Sequence, residues 1–169
     1  ALGARGEGLI AAAILTGACL YAASVALSVR VGERLADPPT AAVGGALVAL
    51  GGPVVWGFLY GSDIALFLFL ALLLFDRWLV AFETGRFSGV AMAGSLLALA
   101  RPEGLPLGLL LAVAAFFGPS PAARRERLRA ALPVGVAALV LLLQRAVTGQ
   151  WLGTSVADKS LLANYGLLD

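Results

Sequence analysis

Three short stretches of the sequence carry polar residues whose types and spacing could do chemistry. Asp63 follows Gly61-Ser62 at the start of an apolar run, and Arg101-Pro102-Glu103-Gly104 separates two further apolar runs. Lys159 lies in a polar tail that begins near Thr148. Carboxylates can hold hydroxyl groups or move protons, and the planar guanidinium fork suits a phosphate. We therefore take Asp63, Arg101, Glu103 and Lys159 as candidate substrate-binding residues.

Each candidate also has a purely structural interpretation. Asp63 could cap a helix, and Arg101 and Glu103 would be favourable at a helix end and in the next helix's first turn, or could simply pair. The tail could be an interfacial loop anchored by Trp151. For Arg101 and Glu103 the functional interpretation is favoured, because a charge at bilayer depth costs about 2.5–3.5 kcal/mol and usually marks function.

The elements that must position these residues are apolar. Of the 169 residues, 60% are hydrophobic and 13% are charged, and the mean hydropathy is +0.94. A soluble domain carries about twice that charged fraction, whereas a spanning helix needs about 20 largely apolar residues. We predict an all-α, polytopic transmembrane bundle of about six spans, followed by an extracytoplasmic loop or interfacial tail over 148–169. The spans are predicted at 9–29, 40–60, 62–82, 87–100, 104–118 and 131–147.

Arginines between the runs, or near the ends of the runs, predict an orientation. Six spans place eight of them on one side, which should be cytoplasmic because basic loops stay inside. These eight are Arg30, Arg34, Arg77, Arg86, Arg124, Arg125, Arg127 and Arg129. All four candidate site residues then fall on the extracytoplasmic side. The fourth and fifth runs are short, so either their helices extend through the flanking polar residues or the turn at Arg101–Gly104 lies below the membrane surface. A turn at that depth must be buried in protein or line a wet cavity.

Composition also excludes several functions. There is no histidine, so His-based metal sites and Ser-His-Asp catalysis are excluded within this chain. The net charge of +2 gives no basic, aromatic surface for nucleic acid. We predict no metal site and no cofactor. Because the only methionine is Met92, we expect the chain to be a segment of something longer.

The order of the three polar stretches resembles the GT-C superfamily of membrane glycosyltransferases, which includes bacterial relatives of protein mannosyltransferases and aminoarabinose transferases. Residues 61–67, Gly-Ser-Asp-Ile-Ala-Leu-Phe, are similar to the family's Gly-Met-Glu-Thr-like motif. Residues 96–104, Leu-Leu-Ala-Leu-Ala-Arg-Pro-Glu-Gly, are similar to its Leu-x-x-Leu-Ala-x-x-x-Arg-Pro-Glu-Gly element and end in the same Arg-Pro-Glu-Gly. The stretch from Thr148 to Ser160 is a looser match to a loop ending in Ala-Lys.

The resemblance implies sugar transfer from a polyprenyl-phosphate donor on the extracytoplasmic face of a bacterial inner membrane. It implies that Arg101, and second Lys159, contact the donor phosphate, that Glu103 orients Arg101, and that Asp63 lines the sugar or acceptor cavity. Two departures stand out. Asp63 replaces the family's usual glutamate, and no residue here matches its catalytic carboxylate in the first extracytoplasmic loop. The catalytic residue is therefore unknown.

Two other functions stay open. The chain could be a non-catalytic, structural or accessory subunit of a larger membrane complex that keeps the scaffold. It could also be a small transporter, although transporters usually show inverted repeats, and we find no such symmetry. The expected partners are membrane lipid, the polyprenyl-phosphate donor and subunits of a membrane complex, with no nucleic acid.

Overall fold

The computed structural model describes residues 7–52, 55, 63–101, 104–117 and 123–149. Within these residues every regular element is a helix, which confirms the all-α class. The helices are α1 (Glu7–Leu35), α2 (Pro38–Leu50), α3 (Asp63–Thr84), α4 (Ser88–Ala100), α5 (Gly104–Phe117), α6 (Arg124–Arg129) and α7 (Leu132–Thr148).

Three stretches are long and apolar enough to cross a membrane: Glu7–Leu35, Ile64–Thr84 and Arg124–Thr148, the last of which joins α6 to α7. Helices α2, α4 and α5 have 13, 13 and 14 residues. At 1.5 Å per residue they measure about 20 Å, less than a hydrocarbon core of about 30 Å. Three helices are therefore long and apolar enough to span a membrane, three apolar helices are shorter, and the six predicted spans are not shown.

Two helix ends differ from the predicted runs. Helix α1 continues six residues past the predicted end at residue 29, because Arg30 and Arg34 find acidic partners on α3 and do not need a loop. Helix α2 ends at Leu50, ten residues before the predicted end of its run. Most of the remainder of that run lies outside the described residues, as does the tail from residue 150 onward.

Helices α1 and α2 form a closely packed antiparallel pair. Asp37 caps α2, since its carboxylate accepts hydrogen bonds from the Thr40 hydroxyl at 2.8 Å and the Thr40 N–H at 3.3 Å. The bond from the Thr40 hydroxyl, and then that from its N–H, hold the pKa of Asp37 below its usual value. Gly32 allows the close approach, because a Cβ there would lie 2.9 Å from Ala41 Cα.

The core lies where α3, α4 and α5 meet. Leu74, Phe87, Leu97 and Ala115 are all fully buried within it. Helix α7 joins this core through Pro133, and a Cβ added at Gly94 of α4 would lie 2.5 Å from Pro133 Cγ. The small residue therefore sets how closely α4 and α7 approach.

One end of the bundle gathers the basic residues. Arg30 and Arg34 of α1 contact Asp76 of α3. After the C-terminus of α3, the Phe87 N–H at the start of α4 donates to Glu126 of α6 at 3.1 Å. We call this the basic end: it contains the C-terminal parts of α1, α3 and α5, the N-terminal parts of α2, α4 and α7, and α6. The eight arginines assigned to one side of the membrane lie at this end of the bundle.

Candidate functional site

Arg101 lies at the opposite end of the bundle, in the turn between α4 and α5. Its N–H donates to Leu97 O at 3.1 Å and its own carbonyl accepts from the Gly104 N–H at 3.0 Å, so the turn is tight. The guanidinium carbon stands 6.0 Å from the ring centroid of Phe67, within the range of a cation–π contact. The side chain is half-buried. Arg101 is thus a cation positioned by neighbouring helices, not one extended into solvent.

Gly104 explains why the Arg-Pro-Glu stretch ends in glycine. A Cβ at this position would lie 2.9 Å from Leu97 Cγ and 3.0 Å from the Leu97 carbonyl oxygen. Because the carbonyl belongs to the helix backbone, it cannot move away easily. Glycine therefore lets α5 start directly against the last turn of α4 and fixes where Arg101 projects.

The start of α3 reaches the same place. Helix α3 begins at Asp63, and Phe67, which contacts Arg101, lies one turn further along the same face. The structure therefore brings the beginning of α3 next to Arg101. Glu103 and Lys159 lie outside the described residues, and so does the side chain of Asp63. The contacts of Glu103 and Lys159 with Arg101, and the place of Asp63 in a cavity, stay predictions.

Comparisons with family models, with curated proteins and with solved structures find no match. The resemblance to membrane glycosyltransferases rests on the sequence alone, at residues 61–67, 96–104 and 148–160.

Sequence reasoning missed a second polar cluster, which is centred on Asp76. This carboxylate is fully buried in the middle of the apolar helix α3. Its Oδ1 lies 3.2 Å from Arg30 Nε and 3.6 Å from Arg34 Nε, and its Oδ2 lies 3.5 Å from Arg77 Nε. Three cations thus surround one buried anion, which ties α1 to α3.

The geometry of this cluster favours charge pairing over directed hydrogen bonding. Neither carboxylate oxygen of Asp76, nor Arg34 Nε, makes a hydrogen bond with the part of the chain that the structure describes. Arg34 makes its hydrogen bonds to Glu83 instead, at 2.9 and 2.8 Å from one η nitrogen to the two carboxylate oxygens. The arginine side chains are between 25% and 49% exposed, so they keep part of their hydration while Asp76 keeps none.

Two sequence signals could have identified the Asp76 cluster. Arg30 and Arg34 are spaced four residues apart, so they share a face if the helix continues past the apolar run. Asp76 is an acid enclosed by apolar residues, and such a charge needs a partner. We instead assigned the arginines to loops because they ended an uncharged run, and that assignment was wrong for Arg30 and Arg34.

Proposed function

We propose that this chain is the membrane-embedded part of a glycosyltransferase that takes its sugar from a polyprenyl-phosphate donor, with Arg101 contacting the donor phosphate. The observation that carries the proposal is the position of Arg101. It lies at the end of the bundle opposite the basic end, in a tight turn, over Phe67 and beside the start of α3. A phosphate at that end meets a preoriented guanidinium.

The proposal includes six membrane crossings and a bacterial inner membrane. Helices α1, α3 and α7 have sufficient length, and α2, α4 and α5 would cross together with the residues that flank them. The contacts at the two ends support alternating directions along the chain. Since basic segments remain in the cytoplasm, the basic end would be cytoplasmic and Arg101 extracytoplasmic.

The chemistry assigned to the chain's own residues is mainly electrostatic. During transfer, the bond from the sugar's anomeric carbon to the donor phosphate oxygen breaks, and a bond to the acceptor oxygen forms. Arg101, with Lys159 as a second cation, would stabilise the charge left on the phosphate. Glu103 would orient Arg101 and Asp63 would line the sugar or acceptor cavity. The base that accepts the acceptor's proton is not assigned.

The proposal is tested by measuring polyprenyl monophosphate binding to the chain in lipid nanodiscs. Hydrogen bonds to charged groups contribute about 1.5–3 kcal/mol, so Arg101→Ala should weaken binding by roughly 10- to 150-fold. Arg101→Lys should recover only part of the loss, because an ammonium group cannot form the two parallel bonds of the guanidinium fork. Arg86→Ala removes the same charge from an exposed position at the basic end and should leave binding unchanged.

Two results would contradict the proposal. Unchanged binding by a folded Arg101→Ala variant would remove Arg101 from the donor site. A wild-type chain that folds but binds no polyprenyl phosphate would contradict the glycosyltransferase proposal and favour the non-catalytic subunit.

A further inference from the structure

An apolar groove runs along the bundle between α5 and α7, starting at the basic end. Its volume is about 400 Å³, within the range of pockets that hold small ligands. Leu109, Val113 and Phe116 line one side of the groove, and Val134 lines the other. From Leu109 to Phe116 the groove extends over about 10 Å of helix.

The floor of the groove consists of small residues, which leave room above them. Ala112 is buried beneath it, and a Cβ added at Gly135 would have nothing within 4 Å. The walls stand out by contrast: Val113 is 46% exposed and Leu109 49%. The described residues thus leave an elongated apolar space whose shape suits one extended hydrocarbon chain.

The end of this groove adjoins the most basic segment of the chain. Helix α6 is Arg-Arg-Glu-Arg-Leu-Arg, a net charge of +3 from four arginines and one glutamate. Arg127 donates to the Phe116 carbonyl at 3.0 Å, which fixes α6 against the wall of the groove. Arg129 is paired with Glu126. Two of the four arginines are therefore already engaged within the protein.

The other two arginines are available. Arg124 and Arg125 are exposed, and neither forms an ion pair or hydrogen bond with the residues the structure describes. Arg124 lies three residues before Arg127, so both share the face of α6 that meets the end of α5. A phosphate beside Phe116 would thus meet free guanidinium groups while its attached chain enters the groove.

From this arrangement we propose that the groove between α5 and α7 holds one acyl chain of an anionic phospholipid, whose headgroup phosphate binds Arg124 and Arg125. Phosphatidylcholine would fill the groove equally well, but its choline cation offsets the charge of its phosphate and weakens the attraction to both arginines. This site lies at the basic end, away from Arg101, so it does not depend on the proposed sugar transfer. Basic pockets between membrane helices are a recurrent way to bind acidic lipids.

The experiment is native mass spectrometry of the purified chain, titrated with phosphatidylglycerol or with phosphatidylcholine of identical acyl chains. Arginines near a membrane surface each contribute about a fivefold preference for acidic lipid, so two give roughly 25-fold. Wild-type protein should bind one phosphatidylglycerol with that preference. The Arg124→Gln/Arg125→Gln variant should lose it, while Arg86→Gln, also exposed at the basic end, should keep it.

A second pair of variants tests the groove itself. Gly135→Leu places a side chain in the groove, where a Cβ has nothing within 4 Å, and should weaken the binding of both lipids alike. Gly44→Leu on α2 is the matched control, because a Cβ there also has nothing within 4 Å. Equal wild-type affinity for the two lipids, full binding by Gly135→Leu, or an equal loss in Gly44→Leu would each overturn the proposal. If Gly135→Leu does not fold, the arginine variants decide alone.

Discussion

Asp76 and its arginines differ in what each loses when the cluster is broken. The carboxylate is fully buried, whereas Arg30, Arg34 and Arg77 keep 49%, 25% and 38% of their side-chain exposure. An arginine left without Asp76 can turn toward water or headgroups. Asp76 left without arginines is an uncompensated charge in an apolar environment, which is the more costly state.

This asymmetry gives a prediction about mutational coupling. Replacing Arg30, Arg34 and Arg77 together with methionine should lower the free energy of unfolding by about 3–5 kcal/mol, the usual cost of an unpaired buried charge. Adding Asp76→Asn to that variant should restore at least half of the loss. The measurement is equilibrium unfolding in mixed micelles.

Comparing the triple variant with and without Asp76→Asn controls for changes in membrane insertion, because both proteins lack the same three arginines. If Asp76→Asn destabilises the triple variant further, the energy of Asp76 is independent of its cations, and the cluster is not a charge pair.

At the scale of the helices, glycines set the distances between α1 and α2. The Cβ of an alanine at Gly32 would lie 2.9 Å from Ala41 Cα, which is backbone and cannot rotate away. A Cβ added at Gly44 on α2 would instead have nothing within 4 Å. The two positions therefore separate the effect of helix packing from the effect of helix propensity.

We predict opposite signs for these two substitutions. Gly32→Ala should destabilise the pair by about 1–3 kcal/mol, the usual cost of overpacking. Gly44→Ala should be neutral or stabilising by up to about 1 kcal/mol, since alanine favours a helix over glycine. Thermal unfolding in detergent, followed by circular dichroism, measures both. Equal behaviour of the two variants would mean that α1 and α2 do not pack at Gly32.

Much of the helical layout could be predicted because local signals set it. Glycine and proline mark the turns before Ser88 and after Ala100, and α4 has the bounds expected from them to within one residue. The end of α1 was not predictable by the same means. Its last turns depend on ion pairs of Arg30 and Arg34 with Asp76 and Glu83, which lie more than about 40 residues away in the chain. No local sequence pattern contains these pairs.

The candidate site shows the same division. The tight turn at Arg101 and the glycine that closes it follow from the local sequence, and the structure shows both. The contact between Arg101 and Phe67 depends on how α3 packs against α4, so it could not be predicted from the local sequence. The second cluster, at Asp76, is entirely long-range and was missed for that reason.

At the scale of the whole molecule, the basic end predicts a topology. In a Cys19→Ser background, single cysteines at Ala36 and Ala123 should react with an impermeant thiol reagent from the same, cytoplasmic side. A cysteine at Thr148, at the far end of α7, should react only from the other side. Reagent added to right-side-out and to inverted vesicles distinguishes them.

Ala36 and Ala123 bracket four predicted crossings, so labelling on opposite sides would mean an odd number of crossings between them. Labelling of the cysteine at position 148 from the cytoplasmic side would show that α7 does not cross.

The hydrogen bond from the Phe87 N–H to Glu126 spans 39 residues and has a consequence for synthesis. A ribosome adding 5–20 residues per second needs roughly 2–8 s to make that length of chain. Within that interval α4 is completed, while the acid that binds the amide at its start has not yet been made. The nascent chain must therefore hold the α3–α4 hairpin without this bond, and α6 secures the hairpin only after α5 has been made.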